Sequence, residues 1–168
     1  KAGKAIVFDG ARGCGKSMAL ETVSVWARRQ GWLVVALDGE MMTRGGNIVR
    51  SKLSPKLWDQ EVTNRVICEK LLTTEEEKLK GIALKSSGVP MAGKEEFTTL
   101  YDVVHAGSVK DEVSTGALIW LKMELALVKE MPVLVVIDNF NCLHNTSSYY
   151  DMDGESFKPQ LLMPSQLS

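Results

Sequence analysis

The chain has 168 residues, 45% of them hydrophobic, and a formal charge of −1. That is about one domain's length with enough apolar residues for a core, which excludes a disordered chain and one drawn by net charge to DNA, RNA or anionic lipid. Cys14, Cys68 and Cys142 are too few and too scattered for a disulfide framework or a structural zinc site, and no apolar run reaches the length of a membrane span.

In chain order, Ile6, Val7 and Phe8, ending at Asp9, read as a buried strand. Residues 16–29 read as a helix, because Leu20, Val23 and Ala27 fall on one stripe. Arg28 and Arg29 sit in its last turn, where cations complement the helix end, and Gly31 suits the stop. Residues 33–37 are a second β-rich run, ended by Asp38 and Gly39. Residues 41–55 read as a loop with Gly45 and Gly46 at its centre. Residues 59–72 look helical. Residues 74–84 read as a further helix, since Thr74 precedes Glu77 at capping-box spacing. Residues 86–94 are turn-like, residues 99–105 a short helix. Residues 114–129 form a longer one, with Leu118, Leu121, Leu125 and Val128 on its apolar side and Pro132 beyond its end. Val133, Leu134, Val135, Val136 and Ile137 are apolar throughout, as a central parallel strand covered on both faces is.

Strand, helix, strand, helices, strand is an α/β order. It implies a single domain over residues 1–168 with a helical insertion at about 56–130. Only three core strands are read, fewer than a nucleotide-binding sheet of this kind usually has, so the expectation is an incomplete fragment of a larger chain.

The chemistry concentrates in Gly10-Ala11-Arg12-Gly13-Cys14-Gly15-Lys16-Ser17, a full phosphate-loop pattern with a strand signal before it and a helix signal after. Successive backbone N–H groups donate to a phosphate only where side chains do not crowd the loop, and Gly10, Gly13 and Gly15 allow that approach. The helix start adds unpaired N–H groups and its dipole. Lys16 is expected on the β- and γ-phosphates and Ser17 on Mg²⁺; Met18 and Ala19 either line the nucleotide's approach or, as is commoner for such residues, pack. The local charge agrees, with six Lys/Arg against two acids in residues 1–35, and four against nine in residues 101–168.

The metal also needs a carboxylate at a strand end, and Asp138 supplies one after the apolar run at 133–137. Many P-loop ATPases follow this aspartate with a glutamate that activates water. Here the residue is Asn139, which cannot take a proton, so weak or no hydrolysis is expected. Glu40 reads as a surface residue more readily than as a γ-phosphate neighbour. Arg12 faces phosphate or solvent. Arg44 and Arg50 are the loop arginines a kinase lid would need, but without a convincing arrangement. No guanine-reading Asn-Lys-x-Asp element occurs, so base choice stays open on the residues alone. Trp26, Trp32, Trp58 and Trp120 suit packing in the core or against neighbouring proteins.

These stretches together resemble the death-associated protein three family, P-loop proteins of the mitochondrial small ribosomal subunit. The resemblance rests on residues 10–17 followed by Met18-Ala19-Leu20, on Gln30-Gly31-Trp32-Leu33-Val34-Val35, and above all on the run from Pro132 to Asn141. Residues 159–162 resemble a following family segment, while residues 40–130 agree mainly in helical character. The resemblance implies an AAA-like P-loop NTPase core with helical additions. It implies GTP or GDP as ligand, ATP not excluded, with Mg²⁺ on Ser17 and Asp138 and phosphates on residues 10–18. It also implies a place in the mitochondrial matrix, on the ribosome, among small-subunit proteins with some rRNA contact and no membrane or DNA partner. The near-neutral charge departs from an RNA-coating ribosomal protein. Competing readings are an active P-loop ATPase, a small-molecule kinase and a nucleotide-free scaffold.

Overall fold

A computed structural model describes residues 5–44, 47–52, 56–86, 97–144 and 147–150. Its sheet is small and parallel. β1 (Leu33–Asp38) pairs with β4 (Val133–Asp138), Leu33 opposite Val133 through Asp38 opposite Asp138. Alternation sorts the side chains. Val34, Leu134 and Val136 meet Leu20 and Ala27 of α1 (Lys16–Arg29) on one face. Leu33, Val35, Leu37, Val133 and Ile137 face the other way, into the main core.

That core is helical. α3 (Glu61–Lys80), α4 (Leu100–Val109) and α5 (Asp111–Leu125) pack on one another and α3 packs on β1, burying Ile67, Leu71, Leu79, Leu100, Leu118 and Leu121. The helices approach closely at Gly107, where a Cβ would lie 2.5 Å from Ala117 Cβ and 2.9 Å from Cys68 Sγ. Between β1 and α3 run a short helix, α2 (Gly39–Arg44), and a hairpin of β2 (Val49–Arg50) with β3 (Trp58–Asp59). After β4 comes a 3₁₀ turn, Phe140–His144, packed on α2.

Two buried carboxylates tie the layers together. Glu75 of α3 accepts from Arg28 Nε of α1 and from Lys78 Nζ, each at 2.7 Å. A carboxylate withdrawn from water needs such partners; Lys78 supplies one within α3, and Arg28 fixes α1 against α3. Glu124 of α5 accepts from Lys85 N at 3.0 Å, Ser86 N at 2.7 Å and Ser86 Oγ at 2.5 Å, closing the segment after α3 onto α5.

Several expectations need correction. Ile6, Val7 and Phe8 are not a buried strand: residues 5–10 are irregular, and Ile6 and Val7 are 81% and 79% exposed. An apolar run becomes a strand only where another strand takes its N–H and C=O groups, and β1 and β4 pair with each other instead. β4 is correspondingly less covered than expected, with Val135 46% exposed. Residues 59–72 and 74–84 are not two helices; α3 runs unbroken from Glu61 to Lys80, and Thr74 Oγ1 donates back to Lys70 O at 3.1 Å instead of capping a new helix. The supposed loop at 41–55 holds most of α2 and the first hairpin strand. α5 begins earlier and ends earlier than read, at Asp111 and Leu125. The short helix at 99–105 extends to Val109, and Thr99 caps it reciprocally with Asp102. Gly45, Gly46, residues 87–94 of the expected turn, and the segment 159–162 lie outside the described residues.

Candidate functional site

The loop at residues 10–15 has the backbone its glycines suggest. Gly13 and Gly15 hold φ of 84° and 90°, and Gly10 147°. An L side chain is strained there, so these turns need glycine. Asp9 Oδ1 accepts from Gly10 N at 2.7 Å and orients the loop's entry. A Cβ on Gly10 would also lie 2.8 Å from Cys14 Sγ.

Gly15 is the N-cap of α1, with no side chain capping the helix and no acid in its first turn. The first-turn amides have no intrahelical acceptor, and the dipole's positive end is uncompensated. α2, α3, α4 and α5 each carry an acid in the first turn. Lys16 Nζ folds back on the loop, donating to Gly10 O at 2.8 Å and Ala11 O at 2.9 Å, with Cys14 Sγ at 3.7 Å. Ala11, Arg12, Cys14, Ser17 and Met18 are exposed, and Lys16 is half-buried.

α1 turns into β1 over residues 30–32, where Trp32 N donates to Ala27 O at 3.0 Å. So short a connection sends the strand back along the helix. A 14-residue helix and a 6-residue strand are both roughly 20 Å long. The start of α1 therefore lies toward the carboxyl ends of β1 and β4, the end at which open α/β sheets hold ligands.

At that end stand Asp38 and Asp138, opposite each other in register. Asp38 Oδ1 accepts from Glu40 N at 2.9 Å and from Asn139 Nδ2 at 3.1 Å. Asp138 Oδ1 accepts from Asn139 N at 2.9 Å, and no group among the described residues bonds its second oxygen. Asn139 has a left-handed φ of 51°. The Asp38–Asn139 contact was not read from the sequence; the signal was there in the two strands, each ending in aspartate.

Other candidates are engaged elsewhere. Glu40 pairs with Arg44 Nη1 at 2.7 Å on the surface of α2. The Arg50 guanidinium lies 4.8 Å from the centre of the Trp58 ring. Trp120 is buried against Phe97, whereas Trp26 is half exposed and meets Trp32 edge to face. Burial pushes the Cys68 thiol up to about 12, which leaves it no nucleophilic role at neutral pH. All three cysteines are free.

No curated protein matches the chain. The model of the family described as "Mitochondrial ribosomal death-associated protein 3" matches residues 1–166, nearly the whole sequence. The chain belongs to the mitochondrial ribosomal death-associated protein 3 family.

Proposed function

We propose that this mitochondrial ribosomal protein binds a guanine nucleotide on a P-loop fold with an AAA-like core, as a structural component of the small subunit that supports mitochondrial translation. The observation that carries the reading is the uncapped, acid-free start of α1, approached through a loop of left-handed glycines. Such a helix start presents unpaired amides and a positive dipole end that an anion would satisfy in place of water, and left-handed glycines leave room for loop amides to join it.

The residues fit a magnesium-bound di- or triphosphate. The phosphates would rest on the amides of residues 10–18: Gly10, Ala11, Arg12, Gly13, Cys14, Gly15, Lys16, Ser17 and Met18. Lys16 would exchange its loop carbonyls for phosphate oxygen. The Ser17 hydroxyl and the Asp138 carboxylate would hold Mg²⁺, which neutralises phosphate charge when bound. Among the described residues, none is committed to activating water. Asn139 lacks a basic atom and is turned to Asp38. The nucleotide would therefore act as a structural or regulatory ligand, not as a substrate turned over rapidly. The choice of GTP or GDP over ATP rests on the family resemblance, as do neighbouring small-subunit proteins and some rRNA contact.

An active ATPase or small-molecule kinase is the competing reading. Arg44 and Arg50, the arginines a lid would use, are occupied by Glu40 and Trp58, which favours the structural role. Extraction and mass spectrometry of nucleotide from purified mitochondrial small subunits tests the proposal. About one guanine nucleotide per copy beyond that accounted for by other sites is the expected result; none would overturn it.

A further inference from the structure

The chain is nearly neutral, but its charge is unevenly spread. Residues 44–58 carry Arg44, Arg50, Lys52 and Lys56 and no acid. They include the β2–β3 hairpin, in which Arg50 stands directly opposite Trp58 and Ser51 N donates to Leu57 O at 3.0 Å. Arg50, Lys52 and Lys56 are all exposed, and Trp58 is half-buried beneath the Arg50 guanidinium. The following carboxylate, Asp59, is only 5% exposed. Glu61, the first residue of α3, and Asp59 both lie close enough to feel Lys52, so its charge is partly compensated and Arg50 and Lys56 carry more of the surface's positive charge.

We infer that the exposed cations Arg50, Lys52 and Lys56 form a contact surface for the phosphate backbone of RNA. Two features favour RNA over an acidic protein. Lysine is depleted from the cores of protein–protein interfaces, whereas lysine and arginine dominate phosphate contacts. A guanidinium lying on a tryptophan also offers a flat cationic face on which an unpaired base stacks. The inference deepens the ribosomal part of the proposed function and is independent of the nucleotide part, since none of these residues belongs to the phosphate loop.

The test uses the full chain and a fluorescein-labelled, unstructured RNA of about 20 nucleotides, a length that exceeds the site size of a single binding fold. Anisotropy is measured across a range of KCl concentrations. R50Q/K52Q/K56Q is expected to bind roughly tenfold or more weakly, and its log–log salt slope to be shallower by about 2, from three lost contacts at about 0.7 each. K52E/K56E leaves Arg50 on Trp58 and should show the same direction, which guards against a folding artefact at the cation–π pair. Unchanged affinity and slope in both variants would overturn the inference. So would loss of binding to a polyglutamate probe with RNA binding intact, the sign of an acidic protein partner. Fluorescent GDP titrated into the same variants separates the two proposals. RNA binding lost with GDP binding intact supports the hairpin surface. GDP binding lost with RNA binding intact would assign these cations to the nucleotide and overturn it.

Discussion

The side chain of Asn139 donates to Asp38 Oδ1 at 3.1 Å, linking the ends of two strands that are a hundred residues apart in sequence. The residue after the strand-end aspartate thus joins β4 to β1. Its left-handed φ of 51° suits asparagine better than a longer side chain.

Hydrolysis by the chain should accordingly be slow. GTP turnover, followed as phosphate release, is expected to stay at or below about 10⁻³ s⁻¹, the scale of a GTPase lacking its activator. Asn139→Ala should leave that rate unchanged and lower stability by about 1 kcal/mol, through loss of one hydrogen bond. Sustained rapid turnover by the purified chain would contradict the structural role.

The same junction predicts a steric effect. A Cβ on Gly39 would lie 2.4 Å from the carbonyl oxygen of Asn139, an approach that backbone must move to relieve. Gly39→Ala should destabilise by about 1–3 kcal/mol, read as a lower denaturant midpoint. A neutral result would mean that the strand ends are not held as closely as described.

Much of this was legible in the residues. The Gly10–Ser17 spacing announces both the loop and α1, and the apolar run at 133–137 announces β4, because each signal is local. The helix from residue 99 was read as well, though its cap of Thr99 with Asp102 was not. The unbroken α3 was not legible, because Thr74 and Glu77 mimic a helix start. Only tertiary context shows Glu75 buried between Arg28 and Lys78, where a helix end would expose it. Pairing is also non-local. Ile6, Val7 and Phe8 have the composition of a strand, but composition does not say which strand, if any, lies beside them. At the strand ends, Asp138 and Asn139 were singled out from the sequence, whereas the bond from Asn139 to Asp38 was not.

Glu124 makes a pH-dependent contribution. Burial pushes its carboxyl up, but hydrogen bonds from the Ser86 hydroxyl, the Ser86 and Lys85 amides and the Trp120 indole together outweigh burial and hold it below the ordinary glutamate value of 4.5. A carboxyl lowered on folding contributes stability above its unfolded pKa and loses it as pH falls through the folded pKa. Glu124→Gln should therefore cost about 1–3 kcal/mol at pH 7. The gap between variant and parent should narrow as pH falls below 4.5. Denaturant unfolding at several pH values checks this; a gap independent of pH would contradict it.

The central claim is that the start of α1 and the lysine beside it hold the phosphates of a nucleotide. Equilibrium titration of a fluorescent GDP analogue with Mg²⁺ into the parent chain and Lys16→Ala tests it most directly. Loss of one charged donor predicts roughly 10- to 100-fold weaker binding in the variant. Equal binding by the two proteins would contradict the claim.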